Sequence, residues 1–444
     1  MMFQKAFRPI DNAPLILFRI LLGALLMVES LFAMFTGWVK SNLITPTTPL
    51  PLIGFDFMLA LPGIGMYIYY SLMAIFALGI LLGYKYRLSL AGFTVLWTGV
   101  YLMQKASYNN HYYLVILVCV IMLFLPANRY ASLDVKNNSK LKSLHMPQWC
   151  AWVIILQMII VYFFATVAKF YPGWLNGSFT GILFNGISDY PIIGAVFKER
   201  WFHLFIAYAG IFFDGLIIPA LLWKRTRNLA LIASLIFHLF NSLTLKIGIF
   251  PYFALSVVVF FYPPETIRAL FFRKKPILKN EDIPSYSYAN VLMYFFIPYF
   301  ILQLLLPIRH WFIKGDVLWT EEGHRLSWRM MLRAKEGQTT FRVVDKKTNQ
   351  ELPYNVSEKL TPKQMSFVFT KPDGMWQMAQ HIKKEFDEEG KAVHIFIDSK
   401  LSVNGEPYRL FVDPTVDFSE AKWDYFGHNE WIILYDADGK QLSK

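Results

Sequence analysis

Charge is scarce in this chain, at 17% of residues where soluble domains run near 25%. Cysteine is scarcer still. Cys119 and Cys150 are the whole complement, each beside or inside an apolar run, which excludes a disulfide framework. Metal-ligand spacings, a phosphate-cradling glycine loop, a dinucleotide fingerprint and a nucleophile elbow are all missing, so nothing points to zinc, nucleotide or serine-hydrolase chemistry. Internal repeats and low-complexity segments are missing too. The pI near 9.4 comes without a basic face in the polar part of the chain, so no nucleic-acid partner is expected.

What is abundant is apolar length. Runs near 20 residues, the number needed to cross a bilayer, fall at 14–37, 64–83, 88–105, 111–127, 148–168, 202–223, 229–247, 249–262 and 288–306. The eighth is short and the fourth only just long enough, so eight or nine spans are expected. The first run lacks a small-residue cleavage site and is followed by similar segments, which reads as a span and not a signal peptide. The expected fold is an α-helical polytopic membrane domain over 1–309, followed by a smaller extracytoplasmic domain, β-rich or α+β, over 310–444.

Charge sets the expected orientation. Alternate loops counted from the N-terminus hold 16 basic residues, among them Lys85, Arg129, Arg225 and Lys275, against six in the opposite set. The positive-inside rule then puts the N-terminus in the cytoplasm, and nine spans leave the C-terminal domain outside. In that domain Thr340–Asp345 alternates as a strand with a partner at Glu351–Tyr354. Residues 361–390 read as a helix ending at Gly390, and Asn404-Gly405 as a hairpin turn between two further strands.

The polar residues inside the apolar runs carry the functional question. Asn110 and His111 sit at the outer turn between spans three and four, Lys169 at the outer end of span five, and His238 within span seven. Asp214 lies in span six, and Arg19 and Glu29 in span one. Each has a plain alternative. A lysine ending a span beside aromatics is a snorkelling anchor in most proteins, His111 fits a helix cap, and Arg19 and Glu29 fit structural pairs with other helices. Asp214 is expected to serve Arg19 or a histidine. Together, ionisable groups in a bundle mark a site. A desolvated lysine loses its charge readily and then acts as a general base. The acid it meets would be one that lipid admits, such as a quinol or phenol.

Several stretches also resemble one known family. They are RILLGALLMVE (19–29), NNHYYL (109–114), HMPQW (145–149), VYFFATVAKFYPGWLNG (161–177), FHLFNSLTLKIGIFPYFAL (237–255), WTEEGHRLSWRMM (319–331) and FVDPTVDFSEAKW (411–423). In this order they resemble the vitamin K-dependent gamma-glutamyl carboxylases, the HTTM-domain membrane proteins, from the first span to near Leu434. The compact length is that of a microbial member. The resemblance implies an enzyme that couples oxygenation of vitamin K hydroquinone, with O2, to carboxylation of protein glutamate by CO2, releasing vitamin K epoxide and using no metal. It implies Lys169 as the base, with Asn110, His111 and His238 binding the quinone or orienting the base. It places Ser327 and Trp328 in the glutamate-handling region, with His324 where animal members have tyrosine, and Gly374-Met375-Trp376 where they have Arg-Arg-Trp. The implied partners are the lipid bilayer, the quinol and a glutamate-containing peptide or protein. Two other readings stay open: a quinol epoxidase without a peptide substrate, and a transporter whose His111, Lys169 and His238 line a proton or anion path. The latter would call for repeat symmetry and broken helices.

Overall fold

The computed structural model describes residues 5–191, 193–277, 289–436 and 438–442. Lys279 of the last basic loop and residue 288, at the start of the last expected span, lie outside them. Among the described residues six helices are long and apolar enough to cross a membrane: α1 (Ala13–Phe35), α2 (Gly65–Leu82), α5 (Trp149–Val167), α6 (Arg200–Leu222), α7 (Arg227–Leu245) and α10 (Ala289–Phe312). Between them come α3 (Tyr86–Met103) and the shorter α4 (Asn110–Phe124). A bent pair, Phe250–Phe261 followed by Pro264–Phe271, turns through 114°. We label its helical parts α8 (Phe250–Val257) and α9 (Pro264–Phe271). Pro263-Pro264 explains the bend, because proline cannot continue a helix but fits the first turn of the next.

Local chemistry fixes the ends nearest the site. Asn109 caps α4, its Oδ1 accepting the His111 N–H at 2.7 Å. Gln104 is extended at φ −141°, which stops α3 before the buried Lys105. The short strands β1 (Pro9–Asp11) and β2 (His145–Pro147) pair antiparallel and bind the N-terminus to the start of α5. Both cysteines are buried and free.

The C-terminal region is α+β, with more helix than a β-rich domain would carry. Strands β3 (Lys335–Asp345), β4 (Glu351–Leu352), β5 (Val393–Val403) and β6 (Arg409–Leu410) form one antiparallel sheet in the order β4-β3-β5-β6. The expected single helix is two, α11 (Pro362–Val368) and α12 (Pro372–Glu388). Pro372 causes the break, since the residue before a proline leaves the helical region. Thr361 and Gln364 cap α11 reciprocally. Asn404 and Gly405 adopt the two consecutive positive φ angles, 54° and 78°, of the expected turn. The strands nevertheless pair again only at Leu401–Arg409, so the hairpin loop is wider than two residues.

Candidate active site

Lys169 is buried, and so is Asp214, which faces it from the neighbouring helix α6. Lys169 Nζ donates to Asp214 Oδ2 at 2.5 Å and to the Ala165 carbonyl at 3.1 Å. The ammonium also lies 5.3 Å from the Trp174 ring centroid, whose indole N–H is held by the Ala207 carbonyl at 2.9 Å. Gly210 of α6 lies against the pair: a Cβ there would meet Trp174 at 3.4 Å and Lys169 Cε at 3.7 Å, ordinary contact distances. Lys169 therefore does not snorkel. The expectation that Asp214 serves Arg19 or a histidine is corrected: its partner is Lys169.

Tyr162 lies two turns before Lys169 on the same side of α5, and its hydroxyl pairs with His238 Nε2 at 3.2 Å. His238 meets the edge of Phe250 at 5.7 Å between centroids, and His111 stacks on that same ring at 4.2 Å and 13°. Phe250 thus brings His111 and His238 together. His111 Nδ1 is buried without a hydrogen-bond partner among the described residues, and such an orphan costs free energy unless something fills it. Asn110 is fixed from both sides. Its Oδ1 accepts from Tyr108 Oη at 2.8 Å, and its Nδ2 donates to the Arg329 carbonyl at 3.3 Å. Tyr162, Trp174, Tyr108 and Phe250 were missed in the sequence because aromatics fill every span and nothing distinguishes these four. The stretches 161–177 and 237–255 that carry the resemblance bracket three of them, Tyr162, Trp174 and Phe250.

The remaining candidates separate. Glu29 accepts from Tyr112 Oη at 3.0 Å, next to His111 in sequence. Arg19 is not brought to the site. Its guanidinium caps the carbonyls of Leu81, Ala127 and Ala131 at the opposite end of α3, one helix length away. Carbonyls take up its two terminal nitrogens, while Nε has no hydrogen-bond partner among the described residues.

Above His111 a cavity of about 370 Å³ opens between the bundle and the C-terminal region. Asn110, His111 and His324 line it, with five cations, Lys105, Arg325, Arg329, Arg333 and Lys371, against one carboxylate, Glu321. Burial alone would raise the Glu321 carboxyl, but Arg333, Lys335 and Lys371 overcome it and hold the group well below its usual range. Burial, together with Arg333, keeps His324 well below the usual histidine range and therefore neutral. Ser327 and Trp328 are not in this lining. The Ser327 hydroxyl donates to the carbonyls of Gly323 and Arg325, and Trp328, 1% exposed, stacks on Tyr113 at 5.3 Å.

Chemically, the arrangement offers a buried ion pair, an aromatic-walled group of two histidines and a tyrosine, and an anion-attracting cavity beside them. Residues 7–266 match the family model of the HTTM domain, and residues 288–438 match that of the vitamin K-dependent gamma-carboxylase lumenal domain. No solved structure matches the chain.

Proposed function

The chain belongs to the HTTM-domain family of vitamin K-dependent gamma-carboxylases, and from that premise we propose that it couples vitamin K hydroquinone oxygenation to carboxylation of a glutamyl side chain. Lys169 with Asp214 is the base. The observation that carries this reading is the pair itself, two heteroatoms 2.5 Å apart, buried and compensated in charge. Such a pair, with the ammonium balancing the carboxylate, can take a proton from a quinol hydroxyl without exposing the acceptor to water.

The residues fit an aromatic diol. The orphaned Nδ1 of His111 and the Tyr162–His238 pair offer polar contacts among Phe250, Phe213 and Phe237 rings. O2 is the oxidant and the quinol the reductant it oxidises, with one oxygen atom ending in the epoxide and the other in water, and CO2 supplies the new carboxyl. The cationic cavity, with His324 in its wall, suits the acceptor carboxylate, while Trp328 packs on Tyr113 outside that lining. Ser327 fixes the Gly323–Ser327 turn that carries His324.

Adding α3, α4 and the bent pair to the six long helices gives nine spans. With the basic loops inside, the N-terminus is cytoplasmic, and the C-terminal region and the site face the lumenal or periplasmic side. Lipid then delivers the quinol and the aqueous side delivers the peptide.

The test uses purified protein in detergent with vitamin K hydroquinone, oxygen, labelled bicarbonate and a glutamate-rich peptide. Epoxide together with labelled peptide is the expected result, and Lys169→Ala and Asp214→Asn each lower both by about 100-fold or more. Epoxide without label would leave only a quinol epoxidase. No product, with Lys169→Ala indistinguishable from the parent, would remove both enzymatic readings.

A further inference from the structure

A second cavity, of about 470 Å³, lies on the far side of a thin partition from the cationic one. Lys105, Glu321 and Arg325 line both, so the two are one side chain apart. The partition is cross-linked by two cations on one carboxylate. Asp373 Oδ2 takes Lys105 Nζ at 2.9 Å and Arg325 at 2.8 Å, and Lys105 also donates to the Asp373 carbonyl at 3.2 Å.

The two linings differ in kind. The second cavity has three cations, Lys105, Arg309 and Arg325, against the carboxylates of Glu321, Glu322, Asp373 and Asp424, so it offers an anion nothing. Its floor is apolar, made by Leu102 of α3 and by Tyr113 and Ile116 of α4, with Phe55 at one side and Trp423 of the C-terminal region above. Thr98 lies five residues inside the end of α3, so the floor reaches about 8 Å below the helix ends. An extended peptide sends successive side chains to opposite sides. A chain lying along this partition would therefore drop one side chain into each cavity.

Resting on the carboxylase reading, we propose that the second cavity binds the aliphatic or aromatic side chain of the residue next to the acceptor glutamate, so that the substrate motif is an acidic residue beside an apolar one. The cationic cavity takes the carboxylate and the apolar cavity takes its neighbour. The arrangement selects among glutamates by what flanks them.

The test is equilibrium binding of fluorescein-labelled peptides to the full chain in detergent, without quinol or bicarbonate. A peptide with leucine beside its glutamate is expected to bind about tenfold or more tighter than the same peptide with alanine there, the gain from burying one large side chain. Thr98→Trp, which fills the floor, brings that ratio to near one and leaves the alanine peptide unchanged. Should Thr98→Trp fail to fold, a peptide carrying benzoylphenylalanine beside its glutamate is irradiated with the unaltered protein, and crosslinks within residues 98–116 are expected. Equal affinities of the two peptides, or crosslinks only elsewhere, overturn the proposal. So does saturable oleate binding that Thr98→Trp abolishes, which would give the cavity to a bilayer amphiphile. A leucine preference in a protein that carboxylates nothing supports this peptide site and sinks the reaction alone.

Discussion

Lys371 is the cavity residue whose charge changes closest to pH 7, with the Lys105 amine pushed down by burial to about 8. Burial pushes the Lys371 amine down to about 7, with Arg333 and Lys335 adding repulsion and Glu321 opposing them. Below that pH the ammonium attracts a carboxylate, and above it the attraction is gone. Because His324 stays neutral throughout, the glutamyl peptide is expected to bind several-fold more weakly as pH rises through about 7, the worth of one partly screened charge. Peptide titrations across pH 6 to 8 check this, and Lys371→Met should flatten the profile. Stability runs the other way. The unfolded lysine keeps its proton up to its ordinary range, so between about 7 and 10 the unfolded chain binds more protons and this group's contribution to folding rises with pH. At Lys169 the same residue type has another neighbourhood: a single carboxylate and the face of an indole.

Helix packing in the bundle depends on small residues at the crossings, where lipid offers no hydrophobic drive for association. Gly23 is the tightest case between α1 and α2. A Cβ there would meet the Leu81 backbone nitrogen at 2.4 Å and its Cα at 2.6 Å, and backbone cannot move aside as a side chain can. Gly23→Ala is expected to cost about 1–3 kcal/mol, the range for overpacking, and to lower the detergent melting temperature with the site's own residues unaltered. This crossing was not legible in the sequence, whereas the spans were. Long apolar runs state their own length, but α2 and α4 are apolar on all sides, so no stripe tells which face meets which neighbour. For that reason Lys169 and Asp214 were both singled out yet not joined: the rotation of α5 against α6 sets the pair, and hydropathy does not encode it. The Asn404-Gly405 turn was legible because a positive φ is a local demand, whereas the cap of α4 was looked for at His111 and is made by Asn109. Strands β4 and β6 were legible as strands, the first as the partner of Thr340–Asp345, but their two-residue length was not, since their ends are decided by what pairs beside them.

Across the whole molecule, the loop between α1 and α2 belongs structurally to the C-terminal region. Leu50 is fully buried in the same cluster as Val343, Met375, Ile395 and Ile432. Around it Gln364 Nε2 donates to the Thr48 carbonyl at 2.7 Å, Gln377 Nε2 to the Pro51 carbonyl at 3.0 Å, and Lys363 to Asn42 Oδ1 at 2.7 Å. Leu50→Ala is expected to destabilise the C-terminal sheet by about 2–5 kcal/mol. Hydrogen exchange checks it: amides of β5 should exchange faster, while those of α5 and α6 keep their protection. The cationic cavity would suffer with the sheet, since Arg333 and Lys371 are held from that side.

The place of Leu50 also bears on ancestry and on engineering. The side chain that completes the C-terminal core is made early in synthesis, hundreds of residues before the strands that need it, and it waits at the membrane surface for them. A C-terminal region transplanted from a relative would arrive with a hole or a clash wherever the host's loop carries a different side chain. The loop and the distant region therefore form one heritable unit, and a chimera built at the last span would have to exchange both.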